Sequence, residues 1–217
     1  MALSKVDFNS INVTPAASKA IKFNSNNNGL ETGDVGGSLV LISTTTASNA
    51  STTSITSGID STYKEYIIKF INYHADNDNP RPYFQVSTNG GSSYGVTVTT
   101  TAFRATHRDD DSSTYFEYTT GQDKAQSTDF FSISDVYLNN EADENINGFI
   151  HLFDPSNTTF VKHFIGQFNG MNNLESVHGL GAGYFNTTSA INAIQFKNSA
   201  GNHDGIFKLY GVGPKQS

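Results

Sequence analysis

Tyr66-Ile67-Ile68-Lys69-Phe70-Ile71-Asn72-Tyr73 is the stretch that decides the fold. Six of its eight residues are β-branched or aromatic, and apolar side chains fall on both of its faces. β-branched and aromatic residues suit a pleated, packed surface. An apolar load on both faces predicts a strand in the interior of a sheet, flanked on each side.

The same texture extends outward in both directions. Upstream, Leu39-Val40-Leu41-Ile42 runs into residues 43–57, which are almost entirely Ser, Thr, Ala and Asn. That composition suits a flexible linker or a strand–turn–strand; threonine is β-branched, which favours ordered strands. Downstream, Pro80 and Pro82 introduce a strand over 83–87, because proline cannot donate to a central ladder. Asn89-Gly90-Gly91 supplies the positive φ of a tight hairpin turn, predicting a return strand over 94–101. Further strands are expected at 103–107, 114–118, 130–133 and 136–138. Segments 149–153 and 160–165 should form a hairpin about Asp154-Pro155-Ser156-Asn157, with Asn169-Gly170 opening the next loop. Gly179-Leu180-Gly181-Ala182-Gly183 leads into another strand, its glycines explained by a bulge or a close approach of backbone. Segments 191–196 and 206–212 read as a last hairpin.

Roughly a dozen short, mostly antiparallel strands at about 8–12-residue spacing predict an all-β sandwich or barrel. No helical period is sustained. Residues 1–36 are polar and rich in Asn and Gly, and are read as an N-terminal arm or edge segment; residues 37–217 form the β-sandwich domain. Residues 24–29 read as a turn or loose loop, and 16–23 as either a helical turn or a short edge strand.

Composition narrows the function. A chain of 217 residues buries about 70% of its unfolded surface and needs no covalent staples. It contains no cysteine, which fits assembly in a reducing cytoplasm. Net charge is −7, and only 15% of residues are charged. Nucleic-acid binding is not expected, since it rests on Lys and Arg displacing counterions; Arg104 and Arg108 are followed directly by Asp109, Asp110 and Asp111. No apolar run approaches the roughly 20 residues of a membrane span, so no membrane insertion is expected. The first residues lack the apolar segment of a signal peptide.

Catalytic signatures are missing: no nucleophile elbow, His-Glu-x-x-His, P-loop or dinucleotide fingerprint occurs. Of the six histidines, His151 and His163 lie on adjacent predicted strands and are candidates to face each other. Two ligands fall short of the three or four a zinc site needs, so a cross-strand polar pair is expected. Acidic clusters occur at Asp76 and Asp78, at 109–111 and at 141–144. None has the spacing of a calcium loop, which must supply six to eight oxygens; solvated turns are expected, with Asp76 and Asp78 the weak candidates for a cation. No catalytic residue, resident metal or cofactor is expected. A glycan-cleaving carboxylate pair would need a cleft between its two groups. The loop tyrosines Tyr63 and Tyr94 are possible contact residues. Asn-x-Ser/Thr triplets begin at Asn12, Asn49, Asn157 and Asn186, and matter only on a secretory route.

Several segments resemble structural proteins of marine tailed bacteriophages. They are Ser57-Gly58-Ile59-Asp60-Ser61-Thr62-Tyr63-Lys64-Glu65-Tyr66, residues 148–163, Gly183-Tyr184-Phe185-Asn186-Thr187-Thr188-Ser189-Ala190-Ile191, and the closing Ile194-Gln195-Phe196 with Ile206-Phe207-Lys208-Leu209-Tyr210-Gly211. The resemblance covers most of residues 37–212 and carries over no functional residue. It implies a jelly-roll type of β-sandwich located in a virion, with other virion proteins as partners. The expected role is non-enzymatic: a tail-fibre, receptor-binding or adaptor module, homo-oligomeric and trimeric if a fibre, with a host-surface glycan or receptor as its target. The alternatives are a capsid decoration or head-fibre protein, and a carbohydrate-binding or depolymerase domain.

Overall fold

The computed structural model describes residues 13–14, 16, 19–24, 26, 28–34, 38–133 and 135–216. The chain divides into two compact units, Met1–Ser38 and Leu39–Ser217. In the first, β1 (Lys19–Phe23) and β2 (Leu30–Asp34) form an antiparallel pair with Lys19 opposite Asp34. Asn24 N donates to Gly29 O at 2.9 Å and closes the turn between them. Of the segment 16–23 that sequence left open between a helical turn and a strand, Lys19–Phe23 is a strand.

The second unit is an all-β sandwich of a large and a small antiparallel sheet. The large sheet has eight strands in the order β3 (Leu39–Ala50), β13 (His203–Val212), β5 (Glu65–Ala75), β9 (Ile146–Phe153), β10 (Lys162–Asn172), β11 (Glu175–Phe185), β7 (Val98–Arg108) and β8 (Thr114–Tyr118). The small sheet has β4 (Thr53–Ile55), β12 (Ala193–Asn198) and β6 (Pro82–Ser87). Their inner faces meet through Phe70–Phe196, Phe84–Phe164 and Phe196–Phe207, with ring centroids 6.4, 5.6 and 4.8 Å apart. Such spacings are those of favourable tilted and edge-to-face aromatic pairs. Jelly-roll connectivity is a finer assignment than this strand order gives.

The deciding stretch lies in β5, paired on both sides, to β13 and β9. Tyr66, Ile68 and Phe70 point inward by simple alternation. Straight alternation would then turn Tyr73 outward. Instead Asn72 adopts φ +51°, the register with β9 shifts between Phe70 and Tyr73, and Tyr73 returns to the core. This is a β-bulge, and asparagine tolerates the left-handed conformation it requires. Residues 43–57 are the expected strand–turn–strand, supplied by the end of β3 and by β4.

Four readings of the sequence are corrected. First, Asn89-Gly90-Gly91 is a turn with φ +71° and +84° at its glycines, but no hairpin follows. β6 belongs to the small sheet and β7 to the large one, so the chain crosses between layers. The expected strands at 94–101 and 103–107 are one strand, β7, beginning at Val98. Second, 191–196 and 206–212 do not pair; β12 and β13 lie in different sheets for the same reason. Third, the turn after β10 is at Asn173 and Leu174, both with positive φ, while Asn169 and Gly170 continue the strand. Fourth, 130–133 and 136–138 form no ladder. Phe131 makes a single bridge to Phe84, and Leu138 N donates to Pro80 O at 2.8 Å. Alternation there reports burial: Phe131, Val136 and Leu138 are fully buried. Ile133 lies over the paired glycines Gly166 and Gly181, where a Cβ on Gly181 would collide with the Ile133 carbonyl. The glycine density of β11 is thus a close backbone approach.

Candidate functional site

Three connections build an open cavity of about 540 Å³. The first is residues 88–97, leaving β6 and entering β7. The second is the segment around Thr128, and the third is Asn186 and Thr187, which follow β11. Each is tied down. Ser87 Oγ accepts from Asn89 N at 3.1 Å and Gly91 N at 3.0 Å, and Asn192 Oδ1 accepts from Gly90 N at 2.7 Å. The Val98–Ser127 bridge holds the second segment. Beneath it the buried Gln85 donates through Nε2 to the carbonyls of Thr128 and Asp129, at 3.3 and 2.9 Å. Asn186 N donates to Thr97 O at 2.7 Å and joins the third segment to the first.

Lys162 fixes the same wall from inside. Its side chain is fully buried, and Nζ donates to Phe160 O and Thr187 O, both at 3.1 Å. Burial pushes its ammonium below the usual lysine range, with the Asp154 carboxylate opposing. A buried amine held by carbonyls is an anchor, since an unpartnered one would be costly.

The resulting open cleft has a volume of about 540 Å³, lined by Thr88, Ser93, Tyr94, Gly95, Val96, Thr97, Thr128, Asn186 and Thr187. None of these carries a charge at neutral pH. The cleft therefore lacks the carboxylates, amines and imidazoles from which general acid–base chemistry is built.

The two loop tyrosines diverge. Tyr94 lines the cleft and its ring lies 6.3 Å from that of Phe130. Tyr63 is core, stacked edge-on against Tyr66 at 5.8 Å. The Tyr66 hydroxyl sits 3.0 Å from both Asp60 O and Asp60 Oδ1 and accepts from Asp60 N, pinning the entry to β5. Hydrogen bonding from Thr62 leads the causes that hold the Asp60 carboxyl below its usual range.

The candidate metal residues do not assemble. His151 stands opposite Ile165, not His163. It bonds Glu65 Oε2 at 3.0 Å and stacks on Phe153 at 4.2 Å. His163 stands opposite Tyr184 on the next strand. Asp76 Oδ1 accepts from Asn202 N at 2.8 Å. Asp78 points elsewhere: it lines an open acidic concavity of about 420 Å³ with Glu141, Asp143 and Glu144. Sequence treated these as separate clusters, because the approach of the β5–β6 connection to residues 139–145 is a long-range contact. Glu144 is buried there, one oxygen accepting from Asn173 N at 2.6 Å and the other without a partner. Among the described residues, no three His, Asp or Glu side chains come together as a metal-binding group.

The remaining acidic turn at 109–111 is solvated, with Asp110 accepting from Ser112 N at 3.0 Å. Arg104 bonds Glu117 at 2.6 Å and the Asp135 carbonyl, and Arg108 bonds Glu175 at 3.3 Å, so both arginines are committed within the sheet. Of the glycosylation triplets, Asn49 lies near the end of β3 with φ +49° and accepts from Asn202 Nδ2, Asn157 is a turn residue with intramolecular bonds, Asn186 lines the cleft, and Asn12 lies outside the described residues. No helix among the described residues is long and apolar enough to cross a membrane.

Fold and site together define an all-β sandwich that carries an uncharged polar cleft among the connections between its strands. Comparison with protein-family models and with curated proteins gives no match.

Proposed function

We propose that the protein is a non-enzymatic structural component of a bacteriophage particle, exposed on its surface as a tail-fibre or receptor-binding module. The observation that carries the reading is the cleft. Its walls are loops on a rigid two-sheet scaffold, the usual way a binding surface is mounted. They offer hydroxyl and amide groups and no charged group, so they suit holding a molecule more than transforming one. The segments that resemble phage structural proteins support the virion assignment. They fall on the entry to β5, on the β9–β10 hairpin, on the connection that forms one wall of the cleft, and on β12 and β13. Jelly-roll connectivity, a homo-oligomeric state and other virion proteins as partners belong to the same reading.

The test is the position and copy number of the chain in purified particles, by reconstruction and quantitative mass spectrometry. A low copy number at a tail or fibre tip is expected. One copy per capsid lattice point would reject the fibre role in favour of decoration, and absence from the particle would reject the proposal.

A further inference from the structure

We infer that the cleft between residues 88–97, Thr128 and Asn186–Thr187 is a binding site for a neutral, hydroxyl-rich ligand, a saccharide without acidic groups. The inference rests on the reading of the protein as a binding module and names what it binds.

The argument begins with elimination by charge. No Lys, Arg or His lines the cleft, so an anionic ligand finds no counter-charge. No Asp or Glu lines it, so a cation finds none either. Among the described residues, Val96 and the Tyr94 ring are the only sizeable apolar groups of the lining, too few to drive capture of an apolar molecule. What the walls do offer is neutral hydrogen-bonding capacity. Among the described residues, the hydroxyls of Thr88, Thr97 and Thr128 have no hydrogen-bond partner. Thr88 and Thr128 lend only their carbonyls, to Asn192 and Gln85, and Thr97 lends its carbonyl to Asn186 N. A hydroxyl both donates and accepts, which matches another hydroxyl.

Asn186 adds orientation. Its Nδ2 donates to Gln126 Oε1 at 2.6 Å, while Gln126 Nε2 is itself held by Thr99 Oγ1 at 2.7 Å and Tyr184 Oη at 3.1 Å. The amide of Asn186 is therefore fixed, and among the described residues its own Oδ1 has no donor. The walls are also fixed in advance, by Gln85 under Thr128 and by Lys162 behind Thr187. Pre-set polar groups reduce the ordering cost of binding. At about 540 Å³ the cleft falls within the range of small-ligand sites. Its openness to solvent and its all-neutral contacts predict weak single-site affinity, raised by multivalent display.

The experiment uses the full chain on an array of neutral oligosaccharides of hexoses and N-acetylhexosamines, with sialylated and sulfated glycans alongside. Soluble members of the best class are then titrated by NMR. Two variants test the site: Thr97→Val with Thr128→Val, which removes hydroxyls at nearly constant shape, and Asn186→Ala. Binding to neutral glycans is expected, with at least a tenfold loss in each variant and an unchanged melting temperature. If the double variant melts early, Thr97→Val and Thr128→Val are read singly and each should weaken binding, while Thr97→Ser, which keeps the hydroxyl, serves as the control that binds as the native chain does. Binding to no neutral glycan, a preference for the acidic ones, or equal binding by the variants overturns the inference. Particle location is a separate readout. A chain found on the particle that binds no sugar defeats this inference alone, and a sugar-binding chain absent from the particle defeats only the virion role. Release of shorter oligosaccharides would confirm the ligand class and overturn the non-enzymatic role.

Discussion

Phe131→Ala should destabilise the protein as a core truncation does, although Phe131 lies in no regular strand. Its ring is fully buried, 4.3 Å from Phe84, 5.7 Å from Phe164 and 6.1 Å from Phe185 by centroid. Those partners come from the small sheet and from two strands of the large one, so the ring bridges both layers. Removing it takes away the transfer energy of a phenyl group and leaves a cavity that three neighbours cannot readily fill, about 3–5 kcal/mol. For a chain of this size each kcal/mol moves the melting point by roughly 2–4 °C, so a fall on the order of 10 °C is expected. The assay is urea unfolding with calorimetry, in which the midpoint should drop while the denaturant slope stays constant. Phe160→Ala is the control, because that ring is 69% exposed and its loss should change stability by no more than ~0.5 kcal/mol. A Phe131→Ala cost as small as the control's would show that 130–138 is a surface loop, and that the interior has been assigned to the wrong residues.

Three further outcomes follow from the packing. His203 is buried against Tyr73 and Phe207, its Nε2 2.8 Å from Thr53 Oγ1, and burial pushes its pKa below the ordinary 6.5 despite Asp204 and Asp76. The folded state then binds fewer protons than the unfolded one. Stability should be complete above about pH 6.5 and fall as the pH drops below it; unfolding midpoints for the native chain and His203→Gln from pH 8 to 5 should show the slope only in the native chain. Gly181→Val should cost about 1–3 kcal/mol or more by forcing Ile133 off β11, read as a lowered urea midpoint. Lys162→Met keeps the apolar stem but strips the Phe160 and Thr187 carbonyls of their donor; a loss of about 1–3 kcal/mol and faster amide exchange at Asn186 are expected by hydrogen-exchange mass spectrometry.

Alternation made most of the strands readable, because buried positions recur at every second residue through most of β5, β9, β10 and β13. It failed where burial and ladder pairing part company. Phe131 to Leu138 alternates because its apolar side chains enter the interior, while among its described residues the backbone bonds Phe84, Asn79 and Pro80 without forming a ladder. Partnership was also illegible wherever the chain changes sheets. Asn89-Gly90-Gly91 encodes a turn but not the layer in which the next strand lands. The cleft left almost no trace in the sequence: its walls are threonines and an asparagine scattered from 88 to 187, common residues without spacing. Only Tyr94 stood out. Of the anchors, Lys162 shares the inward register of Phe164 and Phe168, and a charged residue at an inward position was the available signal; Gln85 alternates with the inward Phe84 and Val86, so the strand pattern marked it as outward-facing.

The chain contains no cysteine, so Ser93→Cys places one thiol at the exposed rim of the cleft. Labelling intact particles with a maleimide, against particles disrupted in urea, tests directly whether that cleft faces outward. Equal labelling before and after disruption is the expected result. Labelling that appears only after disruption would mean that the cleft is covered in the assembled particle, and a surface role centred on it would be wrong.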